Sequence, residues 1–202
     1  MKTRLLIILF LLTCVHSFGQ TSNDSTYVEE IPVGHARVMG IKIDGDLKNF
    51  VVELSKKGFT IEKNIKEEHQ YMMYGKFLDR DCTVLINGTE ITNTVCSVFF
   101  IFKNDGTKNI YKEYAKLKSI YSDKYKIVEV KENALEDSNT EMALRTESKS
   151  CYTHFEDEST FINLELVYDD LKYKVDLYLL YLDKNNLDLK NMEKDKKYKN
   201  DI

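Results

Sequence analysis

The chain has 202 residues, 43% of them hydrophobic and 31% charged, with a formal net charge of −4. At roughly 150 residues per domain this is one domain or two small ones, long enough to bury a core without a metal or disulfide staple. The mild acidity gives no electrostatic basis for nucleic-acid binding, and one Pro and no Trp against 13 Tyr and 10 Phe exclude a proline-rich linker or a disordered chain.

Residues 1–19 read as a secretory signal peptide. Lys2 and Arg4 form a positive n-region, Leu5 to Val15 is an apolar run, and Ser17-Phe18-Gly19 offers a small-x-small cleavage site before Gln20. As a helix that run rises only about 16 Å, too short for a hydrocarbon core of roughly 30 Å, and no other stretch is long enough to span a membrane. Leu11-Leu12-Thr13-Cys14 loosely resembles a lipobox, with Thr13 where a small residue is wanted, so a lipid anchor on Cys14 is the rival reading. Cleavage at Gln20 removes two positive charges, taking the net charge from −4 to −6, and leaves Cys82, Cys96 and Cys151. An odd number of thiols in an oxidising compartment permits one internal bridge plus a spare, Cys82–Cys96 being the pair that a hairpin could bring together; three buried thiols are the alternative.

Residues 20–34 are polar and read as a flexible lead-in to a structured region, 35–183. Val38 to Ile43 suggests a short strand. Leu47, Phe50, Val51 and Leu54 then repeat at i, i+3, i+4 and i+7, which predicts an amphipathic helix, capped by Asp44 or Asp46 and stopped by Gly58 with Phe59 folding back on Leu54. Period two predicts strands at Thr60–Lys66, Gln70–Leu78, Thr83–Ile86 and Thr94–Phe102, with Asn87-Gly88 as a hairpin turn and the nearly all-apolar Val95–Phe102 as a central strand. Asn104-Asp105-Gly106 breaks the pattern, and Ile110, Tyr114, Leu117 and Tyr121 predict a second helix over Lys108–Lys124. A strand at Ile127–Val130 is followed by a polar, acidic stretch to Lys149 that reads as a long loop. Strands at Ser150–Phe155, Phe161–Tyr168 and Lys172–Leu182 follow, the last alternating as a half-buried strand would. The tail, 184–202, is rich in Lys, Asn and Asp and reads as frayed or weakly helical.

The order helix, strands, helix, strands predicts an α+β fold with two amphipathic helices packed on antiparallel sheet. It also suggests a tandem duplication of a helix-plus-meander unit, about 35–103 and 104–183, with Phe50–Phe102 matching Tyr111–Leu182 and Cys82 and Cys151 in comparable strands. The run Ile41-Lys42-Ile43-Asp44-Gly45-Asp46-Leu47, with Phe50-Val51, Leu54 and Lys57-Gly58-Phe59 and a leader ending Phe18-Gly19-Gln20, resembles a group of uncharacterised secreted Bacteroidota-type proteins. The tandem layout is loosely similar to beta-lactamase-inhibitor-like periplasmic folds. Neither resemblance implies a function, because fold alone does not fix one.

Chemistry-bearing motifs are sparse. G-x-S-x-G, Walker, G-x-G-x-x-G, H-E-x-x-H and C-x-x-C patterns are all missing from the sequence. His154, Glu156 and Glu158 would share one strand face and could together hold a divalent metal for hydrolysis, against the plainer reading of a solvated turn. Cys151-x-x-His154 offers a thiol and a base, but strand residues three apart point to opposite faces. Glu67-Glu68-His69 reads as a loop rim, and Asp183-x-Asn185 starts like a calcium loop that Leu187 and Asp188 then break. No catalytic, cofactor or metal residue is assigned. The excess of Tyr, with its apolar body and polar tip, suits half-buried sheet faces and interfaces. The sequence therefore predicts an exported, non-catalytic binding module for a protein or peptide partner, with a metal-dependent hydrolase or a lipid-anchored envelope component as alternatives. It leaves the oligomeric state open.

Overall fold

The computed structural model describes residues 34–62, 68–103 and 107–200. The leader (1–19), nearly all of the lead-in (20–34) and the break at 104–106 lie outside the described residues, as does most of the strand expected at Thr60–Lys66. The chain is α+β. Its elements are β1 (Arg37–Val38), β2 (Ile41–Lys42), α1 (Leu47–Lys56), β3 (Thr60–Ile61), β4 (Gln70–Phe77), β5 (Arg80–Gly88), β6 (Val95–Phe102), α2 (Thr107–Ser122), β7 (Lys126–Lys131), α3 (Thr140–Arg145), β8 (Tyr152–Glu156), β9 (Thr160–Asp169), β10 (Lys174–Asp183) and α4 (Lys184–Asn200).

β3 to β10 form one eight-stranded sheet in the order β3-β4-β5-β6-β10-β9-β8-β7, antiparallel throughout. Two four-stranded meanders, each preceded by a helix, thus meet along β6 and β10. Both seam strands are buried along almost their whole length. This corrects the half-buried pattern expected for the last strand: Asp176 and Tyr178, which carry the polar side of its alternation, are themselves buried.

One face of the sheet holds the core. Met73 and Phe77, Val84 and Ile86, Val98, Phe100 and Phe102, Leu177, Leu179 and Tyr181, Ile162 and Leu164, and Phe155 project from it in strand order. α1 covers it with Leu47, Phe50, Val51 and Leu54, and α2 with Ile110, Tyr114, Leu117 and Tyr121. Asp46 caps α1, accepting from the backbone N–H groups of Lys48 and Asn49. At the other end Gly58 takes φ +94°, and the Phe59 N–H donates to Leu54 O at 3.2 Å. Two tyrosines of α2 satisfy their buried tips, Tyr114 with Thr153 Oγ1 at 2.7 Å and Tyr121 with the Tyr181 hydroxyl, whereas the buried Tyr111 hydroxyl has no hydrogen-bond partner.

Three expectations are corrected, and of the two readings of the tail, frayed or weakly helical, the helical one is observed. The stretch 131–149 is not all loop: α3, capped by Asn139, buries Ala143 and Leu144 in the core. The tail is helical from Lys184. It is held by Asn186 Nδ2, which donates to Ile43 O at 3.0 Å and Val95 O at 2.8 Å, and by Glu193. Asn87-Gly88 is not a turn but the end of β5. The tight turn of the first meander is Leu78-Asp79, both with positive φ. Cys82 lies in β5, whereas Cys151 precedes β8, so the two cysteines do not occupy comparable strands.

Candidate functional site: the second face of the sheet

The opposite face is set by the same strand alternation. Register aligns two six-residue rows across it. One runs Met72, Leu85, Phe99, Leu180, Asn163, His154; the next runs Tyr74, Thr83, Ile101, Tyr178, Glu165, Tyr152. Phe99, Tyr178 and Leu180 are buried at the centre, with Phe99 edge-on to Tyr178 at 5.0 Å, while Met72, Leu85, Ile101, Phe161 and Tyr152 are half-buried around them. α1, α2 and α3 bury their apolar residues in the core of the first face. Among the described residues, α4 meets the sheet where β6 begins and β10 ends, and through Lys184 at the end of β8.

The polar groups of this face are mostly paired. Gln70 Nε2 donates to Asn87 Oδ1 at 2.6 Å, and Asn87 Nδ2 donates to Ser97 Oγ at 2.9 Å. Near the β7 edge, the Tyr152 hydroxyl donates to Glu129 Oε1 at 2.6 Å, and His154 Nδ1 lies 3.1 Å from Glu129 Oε2. The Tyr152 and His154 rings stack at 4.5 Å. Those hydrogen bonds, from Tyr152 first, hold the Glu129 carboxyl below its ordinary range, while burial holds the His154 imidazole below its own against the pull of Glu129.

Asn163 and Glu165 are the exception. Asn163 Nδ2 donates to Glu165 Oε2 at 3.1 Å, and Asn163 Oδ1 is buried without a partner. Burial pushes the Glu165 carboxyl up, and no cation among the described residues pairs with it. Neither residue stands out in the sequence. Both are single polar letters in an apolar run, and only the register places them between tyrosines.

His154, Glu156 and Glu158 do not converge. His154 turns to Glu129, Glu156 pairs with Lys184 Nζ at 3.2 Å, and Glu158 is exposed in the β8–β9 turn. Among the described residues no three metal-ligating side chains come together. The Cys82–Cys96 bridge does not form, because register puts Cys82 opposite Phe102, at the far end of β6 from Cys96. All three thiols are free and buried; burial raises that of Cys96 and pushes those of Cys82 and Cys151 up to about 12, far from the reactive thiolate range. Cys151 is in the core while His154 is on the other face, so they form no nucleophile–base pair.

Glu67 lies outside the described residues, and His69 Nδ1 contacts Asn93 Oδ1 at 3.0 Å. Asp183 caps α4 through the Asn186 N–H and accepts from the Ala36 N–H at 2.7 Å, a structural role. A cavity of about 1030 Å³ opens beside the β4–β5 turn, lined in part by Lys57, Lys76, Asp81 and Lys103. Its Arg80 is paired with Glu113 at 3.2 Å.

No known protein family, curated protein or solved structure matches this chain.

Proposed function

We propose that the protein is an exported, non-catalytic binding module of the bacterial envelope, docking a protein or peptide on the second face of its sheet. The observation that carries this reading is the pair of cross-strand rows from Met72 to His154 and from Tyr74 to Tyr152. They set tyrosine, phenylalanine and aliphatic side chains over six strands, on a face that α1, α2 and α3 leave aside. Aromatic residues with amphipathic tips are what protein interfaces concentrate. The leader supports export. The helix-plus-meander order, repeated on either side of the β6–β10 seam, supports a tandem duplication that makes one broad sheet from two narrow ones.

Two measurements test this. The intact mass of the protein from its native envelope is expected to start at Gln20, and a start at Cys14 with acyl chains would replace export in free form by a lipid anchor. A partner captured from envelope extract is expected to be lost with Ile101→Glu on the second face and kept with Val52→Glu on the exposed side of α1. Equal loss with both, or with neither, overturns docking on this face.

A further inference from the structure

Asn163 and Glu165 are two apart on β9 and therefore project from the same face. Their mutual hydrogen bond uses one amide donor and leaves unfilled the amide oxygen and a carboxylate that lacks a cation. Buried acceptors left unpaired cost free energy until a donor reaches them. The neighbouring carboxylates are in a different condition. Glu129 accepts from the Tyr152 hydroxyl, Glu156 has Lys184, and Asp176 has Lys172 Nζ at 3.0 Å. Glu165 is also walled by rings, since Tyr152 and Tyr178 stand directly opposite it on the two flanking strands. Aromatic faces attract cations, and most strongly where water is excluded.

We infer that Glu165 and Asn163, between Tyr152 and Tyr178, form the seat for a cationic side chain of the docked partner, an arginine before a lysine. The inference rests on the reading of the second face as a docking surface and names the chemistry that the face selects. A guanidinium presents several N–H donors in one plane, so it can pair with the carboxylate, donate to the amide oxygen and lay its face on a tyrosine at once. A lysine ammonium offers a point charge and satisfies fewer of these contacts. Burial, which raises the carboxyl, is offset when the cation arrives.

The test titrates the purified chain with N-acetyl-arginine amide and with its neutral isostere N-acetyl-citrulline amide, following backbone amide resonances by NMR. Saturable shifts centred on residues 163–165 and 152–154 are expected with arginine, at an affinity about tenfold or more above citrulline. Glu165→Gln, which keeps the shape, is expected to erase that preference. Equal binding of the two probes, or arginine shifts elsewhere in the chain, overturns the seat, and this comparison needs no variant to fold. The docking reading fails separately. If Ile101→Glu abolishes partner capture while Glu165→Gln leaves it intact, the face stands and the cation seat falls; if neither affects capture, both fall.

Discussion

Gly75 has no room for a methyl group. A Cβ placed on it would sit 2.5 Å from Cδ1 and 2.6 Å from Cγ of Phe59, which itself packs edge-on to Phe100 at 6.3 Å. The glycine therefore lets the chain leaving α1 lie flat on β4. Gly75→Ala is expected to destabilise the fold by about 1–3 kcal/mol, the usual cost of overpacking, and Phe59→Leu to recover part of it; urea unfolding of the two variants and their double mutant checks this. In sequence Gly75 is one letter in an alternating strand, and nothing local marks its neighbour 16 residues back. The thiols are a second case at this scale. Spacing allowed a Cys82–Cys96 bridge, and only register excluded it. In the chain cleaved at Gln20, a thiol reagent is expected to find Cys82, Cys96 and Cys151 unreactive in the native protein and all of them reactive in denaturant. A mass change on reduction would contradict this.

Among the elements, α1 was legible because every local signal agreed: the apolar stripe, the Asp46 cap and the Gly58 stop all match the observed ends. α3 was not legible and α4 only as a weakly helical tail, because what holds them is distant in sequence. α3 is six residues long and earns its place through Ala143 and Leu144 in the core. α4 has hardly any apolar stripe and docks through polar contacts. Glu193 accepts from the Ile91 N–H at 2.7 Å, the Thr92 N–H at 3.2 Å and the Thr92 hydroxyl at 2.6 Å, about a hundred residues away. Burial opposes its charge, but these hydrogen bonds prevail and hold its carboxyl below the ordinary range. A carboxyl depressed in the folded state stabilises fully above its unfolded pKa, about 4.3, and loses that contribution as pH falls through the lower folded value. Docking of α4 is thus expected to weaken below about pH 4.5, with amide exchange at Ile91 and Thr92 rising first. Glu193→Gln is expected to abolish that pH dependence. Asn186→Ala, which strips the donor from the buried Ile43 and Val95 carbonyls, is expected to cost about 1–3 kcal/mol at any pH.

For the whole molecule the decisive feature is the seam between β6 and β10. Sequence order showed two helix-and-strand runs but not how they join, since antiparallel pairing of Phe99 with Leu180 or Val98 with Tyr181 spans some 80 residues. The consequence is that neither meander is finished alone. Cutting between β6 and α2 would leave β6 as an open apolar edge in one half, with Phe100 stripped of its edge-on contact with Tyr181, 6.1 Å away. The other half would carry β10 in the same condition, and an apolar edge of that length invites aggregation. Expressed separately, residues 34–103 and 104–202 are therefore expected to be insoluble or unfolded. Expressed together, they are expected to assemble one to one, with the tryptic protection of the intact chain. Leu179→Asp, a charge placed at the seam on the core side opposite Phe100, is expected to prevent that assembly. If either half alone gives a dispersed NMR spectrum as a monomer, the two units are independent domains. The broad second face would then be a chance juxtaposition rather than the product of their union.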